Sequence, residues 1–315
     1  MATNEETFRA YTQKQGELYA ADRPGYSPAL FKFIIDHHKS TGGELVTFVD
    51  VGCGTGQATC DLAQYFSEAI GLDPSEGMIG IARASAKSAL SPVRFDVSAA
   101  EDLGTDLEPP IAENSVDLLT AATAAHWFDL ERFWLRASRI LKPGGTVALW
   151  ARTGMSIDPT QTPNGSAIKA ALEAFHSELL PYERQGGILA RDLYADLPLP
   201  WTLDNPVKAF DQESFVREVW NRHRVYEQDA QGADFGTRRM MTPGEFEKLL
   251  GTHSTVTRWR EDHPDLADTE KDIVRNLRRK IESLLHDVGV EPGEEILRGG
   301  VAIVLLMVKK TQQEQ

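Results

Sequence analysis

The stretch "LVTFVDVGCGTGQA", residues 45–58, constrains this chain more than any other. Its first half is an apolar, β-branched run, the pattern of a buried strand. The run enters Gly52, Gly54 and Gly56, spaced Gly-x-Gly-x-Gly, and "QATCDLAQYF" follows at helical spacing. Glycines in a strand-to-helix turn let the backbone fold sharply and approach a ligand with no Cβ in the way. A second short strand, "AIGLD" at 69–73, ends in Asp73, 21 positions after Gly52. A carboxylate at that place in an adenosine-binding sheet accepts the ribose hydroxyls. Asp50, just before the first glycine, would repel a phosphate and suits a cationic or amino-bearing ligand. A glycine motif alone is a weak signal; strand, loop, helix, strand and acid in register are a strong one.

The alternation continues. "PSEGMIGIARASAKSA" reads as a helix, "VRFDV" at 93–97 as a third strand and "SVDLLTAATA" at 115–124 as a fourth. "LERFWLRASRIL" is amphipathic and stops at "KPGG", before a fifth strand at 146–150. Strands alternating with helices predict a parallel sheet covered on both faces, an α/β, Rossmann-like fold. Ligands then bind outside the carboxyl ends of the strands, where Asp73, Ala99–Glu101 and Thr123–Trp127 lie. After Trp150 the regularity fails. Loops mix with amphipathic runs, "SAIKAALEAFHSELL" and "QESFVREVWNRHRVY" read as helices, and 242–259 and 268–289 as further ones. The expected division is a binding core over 1–150, a helical cap over 151–298 inserted before the sheet finishes, and a last strand and tail over 299–315.

Charge narrows the partners. A net charge of −14 repels nucleic acid and anionic membrane, so an anionic ligand would need a deliberate arginine cluster. The two cysteines, Cys53 and Cys60, resemble neither a disulfide scaffold nor a zinc site, and no metal is expected. The N-terminal residues lack the pattern of a secretory or import signal, and no apolar run is long enough to span a membrane, which points to a cytoplasmic enzyme.

The order Asp-x-Gly-x-Gly-x-Gly followed by Asp73 resembles the class I, Rossmann-like S-adenosylmethionine-dependent methyltransferases. That resemblance implies a seven-stranded sheet and S-adenosyl-L-methionine as cofactor. It places Asp50, Gly52, Gly54, Gly56 and Asp73 around it, with Met78 on the adenine face and a backbone amide near Ala100 at the ring. Many relatives carry an Asp where this chain has Ala99, which leaves Glu101 or a backbone carbonyl for the adenine amino group. Thr123 and Trp127 complete the cofactor set. Further segments, "LYAADRPGYSPALF", "AAHWFDLERF", "LLPYERQGGILARDL" and "MTPGEFEKLL", resemble in order the fungal trans-aconitate methyltransferase-like subgroup. In the cap segment this chain has Glu183 and Gly186 where the subgroup has a tryptophan and a proline.

The subgroup implies O-methylation of a small carboxylic acid. A carboxylate is ionised at neutral pH, so no proton need be removed, whereas an alcohol or phenol would need a base. Arginine forks suit carboxylates; the candidates are Arg23, Arg184, Arg191, Arg222, Arg224, Arg238 and Arg239, with Arg23 and Arg191 favoured by their segments. Tyr19, Tyr26 and Tyr182 could bond a substrate. His126 is the candidate catalytic residue, as a positioning donor beside Trp127, with Phe128 and Phe133 anchoring them. Three alternatives stay open: methylation of a secondary metabolite on O, N or S with His126 as base; a cofactor-binding protein without transferase activity; and a nicotinamide dehydrogenase, which the glycine spacing and Asp50 disfavour.

Overall fold

The computed structural model describes residues 16–17, 20, 25–86, 92–226 and 235–312. Tyr19 and Arg23 lie outside the described residues. A helix, α1 (Pro28–Ser40), precedes the sheet; Ser27 caps it, accepting from the Ala29 N–H, and Leu30, Phe31, Ile34 and Ile35 form its buried stripe. Then come β1 (Thr47–Val51), α2 (Gln57–Ala63), β2 (Glu68–Asp73), α3 (Glu76–Ala86), β3 (Arg94–Val97), β4 (Val116–Ala122), α4 (Leu130–Ile140) and β5 (Leu141–Arg152). Every residue of β1 is buried, as befits a central strand covered on both faces. One face packs on α4 through Phe133, Trp134 and Ala137; the other packs on α1 through Phe31, Ile34 and Phe48.

The seven-stranded sheet runs in the order β3-β2-β1-β4-β5-β10-β7, with β7 at Phe210–Trp220 and β10 at Ile303–Lys310. The first five strands are parallel, and β10 runs antiparallel between β5 and β7. Strand order therefore reverses between β1 and β4, and the crevice at their carboxyl ends is the place for a ligand.

Beyond β5 lie β6 (Ser156–Ile157), α5 (Gly165–Leu179), α6 (Gln185–Arg191), β8 (Arg238–Met241), α7 (Pro243–Gly251), α8 (Ser254–Asp262), α9 (Ile273–His286) and β9 (Leu297–Gly300). Strands β6, β9 and β8 form a small sheet, and the cap helices share a core of their own around Ile168, Phe175, Phe246, Trp259 and Ile281.

Three sequence expectations are corrected here. Strand β7 of the main sheet, residues 210–220, takes in the first part of the run 212–226 read as a helix, so the sheet draws on the segment assigned to the cap. Its apolar residues are largely aromatic or β-branched, and pairing satisfies the outer backbone groups of buried β10, which outweighs local helical spacing. The run expected as one closing strand is split, β9 in the small sheet and β10 in the main one. The helix expected over 242–259 breaks into α7 and α8 at Thr252–His253.

Candidate active site

A cavity of about 470 Å³ opens where the carboxyl ends of β1, β2 and β4 meet the cap. The glycine turn forms its floor. Gly52 and Gly54 both take left-handed φ, +65° and +56°, which disfavours any residue with a Cβ. At Gly52 an added Cβ would stand 2.6 Å from that of Ala124, so this glycine lets the β1 and β4 turns touch. At Gly54 an added Cβ would meet nothing within 4 Å and would project into open space beside the cavity. Asp73, at the end of β2, braces the turn: one carboxylate oxygen accepts from the Gly54 N–H at 2.9 Å, the other from the Ser75 N–H at 2.9 Å.

Met78 and Ala100 also line the cavity. Gly56, Asp50 and Glu101 do not. Gly56 is the N-cap of α2. Asp50 is fully buried, and its two oxygens accept from the Thr120 and Thr59 hydroxyls at 2.7 and 2.6 Å. It ties β4 and α2 together behind the glycine turn. Burial pushes its carboxyl up to about 6, against the pull of those two hydroxyls. Glu101 accepts from the Asp129 N–H at 3.0 Å and so supports the start of α4.

The turn after β4 supplies the opposite wall. Thr123 holds a left-handed φ of +55°, rare for a β-branched residue, and its hydroxyl lies 2.9 Å from that of Tyr26. The Tyr26 ring packs edge-on to Trp150, with the Arg152 guanidinium 4.9 Å from its centroid. His126 and Trp127 follow in a short 3-10 helix, both on the cavity wall, and Phe128 packs on Phe133 as expected of an anchor. His126 is 4% exposed, and its Nδ1 lies 2.8 Å from the Tyr194 hydroxyl.

The cap side is cationic. Arg191, Arg224 and Arg239 line the cavity there, with His176 and His253, and Glu183 is the one carboxylate among them; Arg152 adds a fourth guanidinium from the end of β5. Arg191 is engaged: it reaches both oxygens of Glu183 at 2.7 and 2.8 Å and Asp192 at 3.2 Å. The guanidinium of Arg224 has no hydrogen-bond or ion-pair partner among the described residues. Burial and the nearby Arg191 lower its pKa, while Asp192 pulls the other way. Tyr182 turns away from the cavity and donates to Asp262 at 2.9 Å. Arg184, Arg222 and Arg238 are off the wall as well. Sequence reasoning missed Arg152, His176, His253 and Tyr194. Arg152 carried a legible signal, being at the carboxyl end of the fifth strand; the others carried none.

Among the described residues, no group of three His, Cys, Asp or Glu is placed to hold a metal ion, and no helix is long and apolar enough to cross a membrane.

Comparison with known proteins gives a consistent result. A family model described as a methyltransferase domain matches residues 49–149. A probable S-adenosylmethionine-dependent methyltransferase of Saccharomyces cerevisiae is 40% identical over 81% of this chain and 84% of its own. A methyltransferase of Aspergillus candidus is 31% identical over 48% of this chain and 47% of its own. A solved structure from Anaeromyxobacter dehalogenans, assigned as a type II methyltransferase, shares the fold with a TM-score of 0.58. It is 24% identical and covers 92% of this chain and 97% of its own.

Proposed function

The chain belongs to the class I S-adenosylmethionine-dependent methyltransferases, and from that premise we propose that it methylates an oxygen of a small carboxylic acid, as the trans-aconitate-like subgroup it resembles would. One observation carries the reading. In a chain of net charge −14, the cavity is lined by four arginines, Arg152, Arg191, Arg224 and Arg239, against two acids, Asp73 and Glu183. Such a local reversal draws in an anion and gives its carboxylates planar forks to dock on.

The residues present fit the cofactor. Gly54 leaves open space where a side chain would intrude, and Asp73 offers two oxygens, each with capacity for a second bond to a ribose hydroxyl. Met78 and Ala100 line the wall expected for the adenine ring. When bound, S-adenosylmethionine supplies a methyl group already activated on a positive sulfur, which an ionised carboxylate can accept without losing a proton. The protein's task is then alignment and exclusion of water. Trp127 walls the reacting centre, His126 donates a hydrogen bond to the acceptor, and Arg224 takes its distal carboxylate. We read the enzyme as cytoplasmic, an assignment supported by the two unpaired cysteines, Cys53 and Cys60.

The test is transfer of a labelled methyl group to a panel of di- and tricarboxylic acids beside their amides, phenols and thiols. The acids should be methylated and the amides left alone. Preference for phenols or thiols would reject the carboxylate reading and leave the methyltransferase assignment intact.

A further inference from the structure

Whether His126 is a base or a donor depends on which ring nitrogen carries the proton, and its surroundings decide this. Its Nδ1 lies 2.8 Å from the hydroxyl of Tyr194, a residue 2% exposed. Burial pushes the Tyr194 phenol well above its ordinary pKa, so the group keeps its proton. A buried O–H has to donate to something. The one hydrogen-bond partner of that hydroxyl among the described residues is Nδ1 of His126, which is left as the acceptor.

The backbone enforces this contact. Leu193 and Tyr194 both adopt left-handed φ, +56° and +55°, a conformation unfavourable for side chains with a Cβ. The Tyr194 N–H closes back on the Leu189 carbonyl at 2.8 Å, so the turn leaving α6 aims the phenol at the imidazole. At the other end of α6, Gly186 presses against the same short helix. An added Cβ would stand 2.5 Å from the Trp127 ring and 2.6 Å from the His126 carbonyl. Helix α6 therefore grips the His126 turn at both ends, and a strained pair of residues is kept in the grip.

We propose that Tyr194 is a positioning residue that holds His126 in the tautomer protonated on Nε2, making it a hydrogen-bond donor to the methyl acceptor and not a general base. The inference rests on the reading above that His126 contacts the acceptor. A proton on Nδ1 would leave the buried phenol O–H without its acceptor among the described residues, so the tautomer protonated on Nδ1 is disfavoured. A neutral Nε2–H can hold one oxygen of a carboxylate while the other attacks. It cannot take a proton from an alcohol or thiol, so the same contact turns the site away from acceptors that need deprotonation.

The test is a long-range proton–nitrogen NMR spectrum of the imidazoles in the uniformly 15N-labelled wild-type protein at neutral pH, with the His126 signals assigned by their loss in His126→Gln. The expected pattern is an unprotonated Nδ1 and a protonated Nε2. A protonated Nδ1, or a mixture of tautomers, overturns the proposal, and this spectrum decides the matter without any variant of Tyr194. In Tyr194→Phe the signals should move toward a mixture, with a higher KM for the acceptor and an unchanged Kd for the cofactor. In His126→Gln the amide N–H can stand in for Nε2–H, so the rate should stay within about tenfold of wild type; a rate as low as that of His126→Ala would contradict a donor role. The spectrum needs no acceptor. Failure of the carboxylate reading would leave it standing, whereas ester formation with a protonated Nδ1 would sink the tautomer proposal alone.

Discussion

Replacing Arg224 with glutamine removes a charge that no described residue hydrogen-bonds or pairs with. The guanidinium is half-buried on the cavity wall, and no hydrogen bond or ion pair among the described residues depends on it. The loss should therefore be read on the acceptor and hardly at all on stability. A hydrogen bond to a charged partner nets about 1.5–3 kcal/mol, or roughly 10–150-fold in affinity. Arg224 is partly open to solvent, so the lower part of that range applies, a rise in KM of about 10–30-fold. Arg191 provides an internal control. Its charge is already shared with Glu183 and Asp192, so Arg191→Gln should cost several times less. Arg224→Lys keeps the charge but loses the planar fork and should fall between wild type and glutamine. The assay is the initial rate of labelled methyl transfer against acceptor concentration, with cofactor Kd measured by calorimetry on the same preparations. Equal KM values for wild type and Arg224→Gln, or a parallel loss of cofactor affinity, would refute the assignment of Arg224 to the acceptor.

Asp73→Asn should weaken cofactor binding by roughly 10–150-fold, because one charged acceptor of the Gly54 and Ser75 amides is lost along with a ribose contact; calorimetry giving an unchanged Kd would count against the ribose role. Asp50 gives a pH prediction. Its folded pKa, about 6, lies above the unfolded value near 4, so the folded state holds the proton more tightly and stability falls as pH rises from about 4 to 6. The penalty above that window is on the order of 3 kcal/mol. Asp50→Asn should flatten this slope in Tm measured against pH, and parallel curves for the two proteins would contradict it. Gly186→Ala should force the Trp127 ring and the His126 carbonyl away, costing roughly 1–3 kcal/mol of stability and lowering kcat. A Tm and a rate equal to wild type would show that the turn tolerates the shift.

The core was legible because parallel α/β topology ties position in sequence to position in space. A residue at the end of a strand must sit at the carboxyl edge, so Gly52, Gly54, Asp73, Thr123 and His126 could be placed from spacing alone. Direction was less legible than position. Asp50 sits next to the glycine turn, yet its side chain points into the protein, where Thr59 and Thr120 bind it; no local pattern distinguishes the two faces of a wholly buried strand. Strand β7 was hidden for a related reason. Its residues carry helical spacing, and what makes it a strand is the unpaired edge of β10, more than 80 residues downstream. The cap was hardest. Arg224, His176 and His253 reach the cavity through packing between segments distant in sequence, and Tyr194 reaches His126 through two residues in left-handed conformations that no glycine announces.

The central claim is that an ionised carboxylate receives the methyl group, and the bond in the product tests it most directly. The purified enzyme, labelled S-adenosylmethionine and a dicarboxylic acid should yield a product whose label mild alkali releases as methanol, since an ester hydrolyses under conditions that ethers, amines and thioethers survive. Label that stays on the acceptor after alkali, or transfer that occurs with phenols, amines or thiols and never with acids, would contradict the account.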